Sequence, residues 1–269
     1  MTVGIPPADW LALLERMADR ADGIALGYFR STGLRVEAKP DRSPVSEADR
    51  AIESMARAVA LEHQPGLGIL GEEEGETVST SDARLIIDPI DATQNFVRGI
   101  PIFATLLAIE AEGDVVAGVV SAPALRARWT AARGLGAHIA GRRLVVSNVR
   151  ALSEAHLLHA GLGGSTETHP PPGMRNLLAR TARSRGFGDF YQHMLVAEGA
   201  GDVAIDPGVH PWDVAAIQVI VEEAGGKATT LGGTRDVYGG SLVTSNGLMH
   251  QEVLELLGGT RLGNRKVGK

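Results

Sequence analysis

The string Leu85-Ile86-Ile87-Asp88-Pro89-Ile90-Asp91-Ala92-Thr93-Gln94-Asn95-Phe96 carries the strongest chemical signal in the sequence. Its apolar run reads as a short buried strand that passes directly into two aspartates three residues apart. Pro89 blocks further strand pairing and fixes a turn. Both carboxylates then leave the strand end, where loops build sites. Thr93 and Asn95 stand where a short helix can begin, and its free N–H groups would suit a phosphate. A plain turn with Asp91 capping a helix is the structural alternative, and the whole string weighs against it.

Three other strings offer carboxylates. Ile69-Leu70-Gly71-Glu72-Glu73-Glu74-Gly75 again leaves an apolar strand. Glu74 and Glu76 read as a solvated acidic loop, whereas Glu72, beside the strand end, is placed inside. Ser46-Glu47-Ala48-Asp49 opens a helix as a variant capping box, so Asp49 either caps only or caps and lines the site. In His210-Pro211-Trp212-Asp213-Val214-Ala215-Ala216, Asp213 opens an apolar helix. Alone it would be a carboxylate complementing the helix dipole.

Brought together, carboxylates about 4 Å apart repel by roughly 1 kcal/mol in water and roughly 4 kcal/mol at an effective dielectric of 20. Such a cluster needs bound cations or raised pKa values. Oxygen donors without a cysteine or a histidine pair suit hard Mg²⁺, with Mn²⁺ able to substitute. A hard divalent ion polarises a phosphoryl oxygen, activates water and holds a leaving oxygen. The chemistry to which these residues point is hydrolysis of a phosphate monoester.

Composition narrows the classes further. The net charge of −6 leaves no basic surplus for a nucleic-acid backbone, and an acidic protein that handles phosphate needs cations. There are no cysteines, which excludes thiolate nucleophiles, disulfides and Cys-based zinc sites. Met1 to Asp9 shows no secretory signal pattern, and no apolar stretch reaches the length of a membrane span. The expectation is a cytoplasmic protein with a small-molecule partner and neither nucleic acid nor membrane as partner.

The elements that must position these residues follow from periodicity. Apolar residues from Trp10 to Tyr28 recur at three and four, predicting a helix that ends near Gly33. A polar loop, Lys39 to Pro44, precedes a second helix starting at Ser46 and closed by Pro65-Gly66. Gly68 to Leu70 and Arg84 to Ile87 read as buried strands, separated by an acidic loop, Glu72 to Asp82. Ile102 to Glu110 and Val115 to Ser121 read as a hairpin with a tight turn at Gly113-Asp114. Trp129 to Ala132 and His138 to Ala140 add two strands. In the second half His156 to His159 reads as a strand and Thr166 to Gly173 as a loop or flap. Helices are expected at Met174 to Arg183, Tyr191 to Glu198 and Trp212 to Ala224, the last stopped by Gly225-Gly226. Strands near Ala228 and Leu242 and a helix from Met249 to Leu257 complete the chain. With 269 residues the expectation is one domain over 1–269. It comprises a half of about 1–150 bearing the metal motifs, an α/β half of about 151–258, and a flexible tail over 259–269.

Asp88-Pro-Ile-Asp91-x-Thr93-x-Asn95-Phe96, Gly71-Glu72-Glu73, and Trp212-Asp213-x-Ala215-Ala216 with Glu223-Ala224-Gly225-Gly226 together resemble the inositol monophosphatase family in order and spacing. The resemblance implies an α/β (α+β) fold, a layered α/β/α/β/α sandwich, and a homodimer. It implies two or three Mg²⁺ ions held by Glu72, Asp88, Asp91, Asp213 and the Ile90 carbonyl. Asp49 would hold an outer ion directly or through water. Thr93 with Glu72 would orient and activate the attacking water, and the N–H groups of Ala92 and Thr93 would grip the phosphate. Water would attack in line, without a phosphoenzyme. Val97-Arg98-Gly99, Gly118 to Leu125, Ala131 to Gly134, Gly188-Asp189-Phe190, Leu195 to Gly199 and Ser245 to Leu248 are similar to the bacterial histidinol-phosphatase branch. Asp189 would then face a substrate ammonium, or be a surface turn residue after Gly188. Asp206 would contact the alcohol part of the substrate, or be a loop residue before Pro207.

Two positions depart from the pattern. Ala92 stands where the family usually has Gly, and Gln94 where the branch usually has Lys. If position 92 needs positive φ, alanine costs about 1–2 kcal/mol there. The alternatives to histidinol phosphate are inositol monophosphate or another sugar, cyclitol or amino-alcohol phosphate. The non-enzyme alternative is a degenerate phosphatase fold used for binding.

Overall fold

The structure is a computed structural model that describes residues 5–39, 43–78, 80–161 and 169–258. The three-and-four pattern forms α1 (Pro7–Tyr28), which starts on a proline where the N–H is dispensable. It stops five residues before Gly33, because Phe29 turns extended and packs its ring against Phe96 and Phe103. A small hairpin, β1 (Val36–Ala38) with β2 (Pro44–Ser46), occupies what read as a polar loop, of which Pro40 to Arg42 lie outside the described residues. Ser46 then caps α2 (Glu47–His63) through a capping box with Asp49.

The first half continues with β3 (Gly68–Gly71), β4 (Gly75–Thr77), β5 (Ala83–Asp91), α3 (Thr93–Val97), β6 (Ala104–Ala111), β7 (Asp114–Ala122), β8 (Ala127–Ala132), β9 (Gly136–Ile139) and β10 (Arg142–Arg143). The second half holds β11 (His156–His159), α4 (Met174–Arg180), β12 (Arg183–Gly186), α5 (Asp189–Ala197), β13 (Val203–Asp206), α6 (Pro211–Glu223), β14 (Lys227–Thr229), β15 (Leu242–Ser245) and α7 (His250–Leu257). The β6–β7 turn is Glu112-Gly113, both at positive φ, one residue earlier than the sequence suggested. The helix expected to reach Arg183 ends at Arg180, because Arg183–Gly186 pairs as an edge strand with β11. Of the expected flap, 166–168 lie outside the described residues, as does the tail over 259–269, and 169–173 form a loop and turn as expected.

Side-chain alternation sorts these elements into layers. In the eight-stranded sheet, ordered β10-β9-β8-β7-β6-β5-β3-β4, Leu85, Ile87, Leu107, Ile109 and Val119 pack under α1 and α2. Ile86, Leu106, Ala108 and Val120 project from the opposite face onto α6 and α5. Those two helices also touch the five-stranded sheet, ordered β12-β11-β13-β15-β14. The far face of that sheet is covered by Met174 and Leu177 of α4 and Val253 and Leu257 of α7. The result is the expected α/β/α/β/α sandwich. The middle helices α5 and α6 are shared by both sheets.

Strand β5 does not stop at Pro89. It runs on to Asp91, opposite Ala104, with a register shift between Asp88 and Asp91. A proline is tolerated at such a bulge because no ladder N–H is required of it. The Pro89 carbonyl instead accepts from Thr105 Oγ1 at 2.8 Å.

The seat of α6 on the large sheet is set by one glycine. A Cβ at Gly118 of β7 would lie 2.6 Å from Val219 Cγ1 and 3.0 Å from the backbone of Ala216. Gly118→Ala is therefore expected to destabilise by about 1–3 kcal/mol through overpacking, read as a lower denaturant midpoint at unchanged m-value. An unaltered midpoint would show that α6 is not fixed at this contact.

Candidate active site

The alternation that places Ile86 against α6 also turns Asp88 to that face, at the point where the first turn of α6 carries Asp213. The bulge brings Asp91 round to the same place. Among the described residues, one carboxylate oxygen from each of Asp88, Asp91 and Asp213 lies within 4.8 Å of the others. Asp91 Oδ2 accepts from the Phe190 N–H at the start of α5 at 2.7 Å, and Asp213 Oδ2 accepts from the His210 N–H at 2.7 Å. Each contact anchors one oxygen at a helix N-terminus. Asp88 Oδ1 is buried and has no hydrogen-bond partner among the described residues.

Burial raises all three carboxyl pKa values. Asp88 is pushed further by the charge of Glu72, and Asp91 by that of Asp189. Asp213 is raised to about 6 by burial, although the His210 N–H opposes the shift. Buried, mutually repelling oxygens, one without a partner, form a cavity for a hard cation. The donor set fits a divalent ion with oxygen preference.

Glu72 is not in this tight group. It stands on the rim of the neighbouring cleft, where its Oε1 accepts from Lys39 Nζ at 2.7 Å. The same ammonium lies 2.6 Å from Glu73. Sequence reasoning missed Lys39, and its only signal was a lone lysine at the start of a polar loop. Asp49 caps α2 and also approaches Thr93. Its Oδ2 accepts from the N–H and hydroxyl of Ser46 at 2.8 and 2.6 Å, while Oδ1 lies 3.5 Å from Thr93 Oγ1. Burial, opposed by the Ser46 hydrogen bonds, pushes Asp49 up to about 6. Thr93 Oγ1 donates to the Ile90 carbonyl at 2.9 Å, so the main-chain oxygen singled out in the sequence faces the site.

Ala92 is the left-handed residue that the family comparison of motifs suggested, with φ 66° and ψ 46°. Its side chain packs against the cluster containing Ile90, Phe96 and Phe103 while it lines the cleft. That contact offsets part of the backbone strain. Asn95 takes a structural part, donating from Nδ2 to the Ile102 carbonyl at 2.9 Å. The cleft, of about 480 Å³, is lined by Glu72, Ala92, Thr93, Gln94 and Asp189 among others. A smaller cavity of about 100 Å³ lies between Asp91, Asp189, Asp206, Asp213 and His193. Asp189, at φ 50° after Gly188 at φ 74°, is half-buried, and desolvation raises it to about 6. Asp206, at the end of β13, is raised by burial to about 7. Asp189 opens α5, and Asp206 closes β13, both lining the smaller cavity.

The description of the inositol monophosphatase family matches residues 8–260. The chain belongs to that family. It is 45% identical over 258 residues to the histidinol-phosphatase of Mycobacterium tuberculosis, covering 93% of this chain and 98% of the relative. It is 34% identical over 255 residues to the inositol-1-monophosphatase of Mesorhizobium japonicum, covering 91% and 95%. The extragenic suppressor protein suhB from Bartonella henselae has the same fold, with a TM-score of 0.84 at 30% identity over 95% of this chain and all of the other. Family and fold therefore agree with the layered architecture.

Two outcomes follow from the geometry. Carboxylates that bind protons more tightly folded than unfolded add stability below about pH 4, and this is lost as pH rises through their folded values, about 6 for Asp213. Buried His193 and His250, lowered to about 3 and about 4 by burial, act in the opposite sense. Comparison with Asp213→Asn isolates the carboxylate. In chelator, this variant is expected to melt above the wild type at pH 8, with the gain shrinking at pH 5. Mg²⁺ is expected to raise the wild-type Tm more at pH 8 than at pH 5. A gain independent of pH would contradict the crowding of charge. Secondly, Ala92→Gly is expected to keep kcat or raise it, since glycine relieves about 1–2 kcal/mol of left-handed strain. A loss beyond about tenfold, ~1.4 kcal/mol, would mean that the methyl group serves the substrate.

Proposed function

We propose that this protein is a divalent-cation-dependent phosphomonoesterase whose preferred substrate is histidinol phosphate. The observation that carries the reading is the convergence of Asp88, Asp91 and Asp213 beside a cleft and a smaller cavity lined by the further, half-buried carboxylates of Asp189 and Asp206. The chain is a phosphoric monoester hydrolase by family, since relatives across nearly its whole length are named for cleaving histidinol phosphate or inositol monophosphate. The greater similarity to the former favours an amino alcohol over a cyclitol.

Asp88, Asp91, Asp213, Glu72 and the Ile90 carbonyl are proposed to hold Mg²⁺, as two or three ions, with Asp49 serving an outer one. When bound, such an ion supplies Lewis-acid stabilisation of charge on the phosphoryl oxygens. The N–H groups of Ala92 and Thr93, at the start of α3, hold the phosphate. Thr93 Oγ1, fixed by the Ile90 carbonyl, and Glu72 orient and activate water for in-line attack. Lys39, 2.7 Å from Glu72 Oε1, aims that carboxylate along the rim. Asp189 and Asp206 receive the cationic alcohol portion. Two partly desolvated carboxylates this close together are costly as a negative pair unless a cation meets them.

The two halves are proposed to act as one domain, because α5 and α6 pack against both sheets. The family resemblance supports a homodimer. No helix among the described residues is long and apolar enough to cross a membrane. A cytoplasmic enzyme is proposed, with neither membrane nor nucleic acid as partner, the net charge of −6 leaving no basic surplus for a nucleic-acid backbone.

Histidinol phosphate is expected to show a higher kcat/KM than inositol monophosphate with Mg²⁺, and chelator is expected to abolish both activities. A charge-assisted hydrogen bond at Asp189 is worth roughly 1.5–3 kcal/mol, or about ten- to hundredfold in discrimination. Asp189→Ala should erase most of that ratio. Better turnover of the inositol ester, or an unchanged ratio in the variant, would assign the protein to another substrate class while leaving the metal chemistry in place.

A further inference from the structure

Glu72 reaches the cleft from the short connection between β3 and β4, where only three residue pairs join the strands. The grip on this connection comes from α2. Glu53, fully buried, accepts four hydrogen bonds. Its Oε1 takes Arg57 Nε at 3.0 Å, Arg57 Nη2 at 2.7 Å and the Glu74 N–H at 2.9 Å. Its Oε2 takes the Glu73 N–H at 2.8 Å. Arg57 in turn donates to the Gly75 carbonyl at 2.5 Å and to Thr77 Oγ1 at 3.0 Å. On the other side the Glu72 N–H donates to the Ile87 carbonyl at 3.3 Å. Gly71 is part of the fit, since a Cβ there would fall 2.0 Å from Glu53 Oε1.

A buried ion pair is a poor device for stability alone, because the desolvation of both charges roughly cancels their attraction. Its particular capacity is geometric. Two consecutive main-chain N–H groups are held on one carboxylate, and the residue just before them is Glu72. Asp49, Glu53 and Arg57 stand four residues apart and so share one face of α2. That face brings Asp49 to Thr93 and Glu53 to the Glu72 loop, fixing both sides of the cleft from one rigid helix.

We propose that Glu53 and Arg57 are positioning residues for hydrolysis, setting the place of Glu72 by clamping the backbone of residues 73–75 and the Thr77 hydroxyl. The inference rests on the reading of Glu72 as part of the hydrolytic site. Glu53 touches neither the proposed phosphate grip nor Asp189 or Asp206, so its loss acts on kcat and on metal affinity and leaves substrate KM nearly unchanged. A displacement of about 1 Å at a reacting group can cost on the order of a hundredfold.

The test uses the full chain as wild type, Glu53→Gln, Arg57→Met and Arg57→Lys. Amide exchange is followed in chelator, Mg²⁺ binding by calorimetry, and histidinol phosphate hydrolysis at saturating Mg²⁺ well below each Tm. In Glu53→Gln the Glu73 and Glu74 amides are expected to exchange at least about tenfold faster while those of β6 stay protected. Mg²⁺ binding weakens, and kcat falls by about ten- to hundredfold with KM within about twofold. Arg57→Lys, which keeps the charge, should retain more kcat than Arg57→Met. Should Glu53→Gln not fold, Gly71→Ala displaces the same carboxylate without changing charge and is expected to give the same pattern. Faster exchange with unchanged kcat and Mg²⁺ affinity would overturn the proposal, leaving the pair a purely structural brace. Wild-type protein without Mg²⁺-dependent hydrolysis would instead overturn the underlying reading of the site.

Discussion

Three carboxylates that repel one another in a buried place must be held there by forces stronger than their repulsion. At an effective dielectric of about 20, each pair near 4 Å costs roughly 4 kcal/mol, comparable to a large part of a domain's net stability. The protein meets this with backbone N–H groups at the starts of two helices, Phe190 on Asp91 and His210 on Asp213, and with the partial positive charge of those helix ends. What those donors leave uncompensated is negative charge facing inward, Asp88 Oδ1 above all. That residue of charge is the affinity for a cation. Strain of this kind at a site is sustained by the rest of the fold.

The layering explains how it is sustained. α6 carries Asp213 at one end and is buried along nearly its whole length between the two sheets. It cannot retreat from β5 without opening the main core. α5, lying beside it, fixes Phe190 and Asp189 in the same way. The first half supplies Asp88, Asp91, Glu72 and Asp49, and the second half supplies Asp213, Asp189 and Asp206. The site therefore exists only when both halves are packed together. α2 adds the Glu53–Arg57 pair, and Lys39 places an ammonium between Glu72 and Glu73.

Much of this was legible in the sequence where chemistry and period coincide. An apolar strand ending in Asp-x-x-Asp, a second ending in Glu, and an apolar helix opening on Asp are local strings, so the carboxylates could be read directly, whereas the layered sandwich came from the family resemblance. The αL conformation at Ala92 entered only as a condition, raised by the glycine that the family usually has there. Lys39, Glu53, Arg57 and the Phe190 N–H were not read. They act across the fold from elements whose own strings look ordinary: a three-residue strand, a helix face of mixed charge, and a main-chain group with no side-chain signature. The same limit hid β1, β4, β12 and β13, which are three or four residues long and take their form from neighbours. Pro89 misled because a proline at a bulge does not end its strand, and the bulge is visible only once β6 is in place.

The account stands on the claim that Asp88, Asp91 and Asp213 converge in order to hold a divalent cation. Anomalous diffraction from crystals of the protein grown with Mn²⁺, in the presence and absence of phosphate, tests it most directly. The account requires a strong anomalous peak within coordination distance of one oxygen from each of the three aspartates, with Asp91 Oδ2 still on the Phe190 N–H. An Mn²⁺-saturated, catalytically competent crystal with no peak between those carboxylates, or with its metal elsewhere, would contradict it.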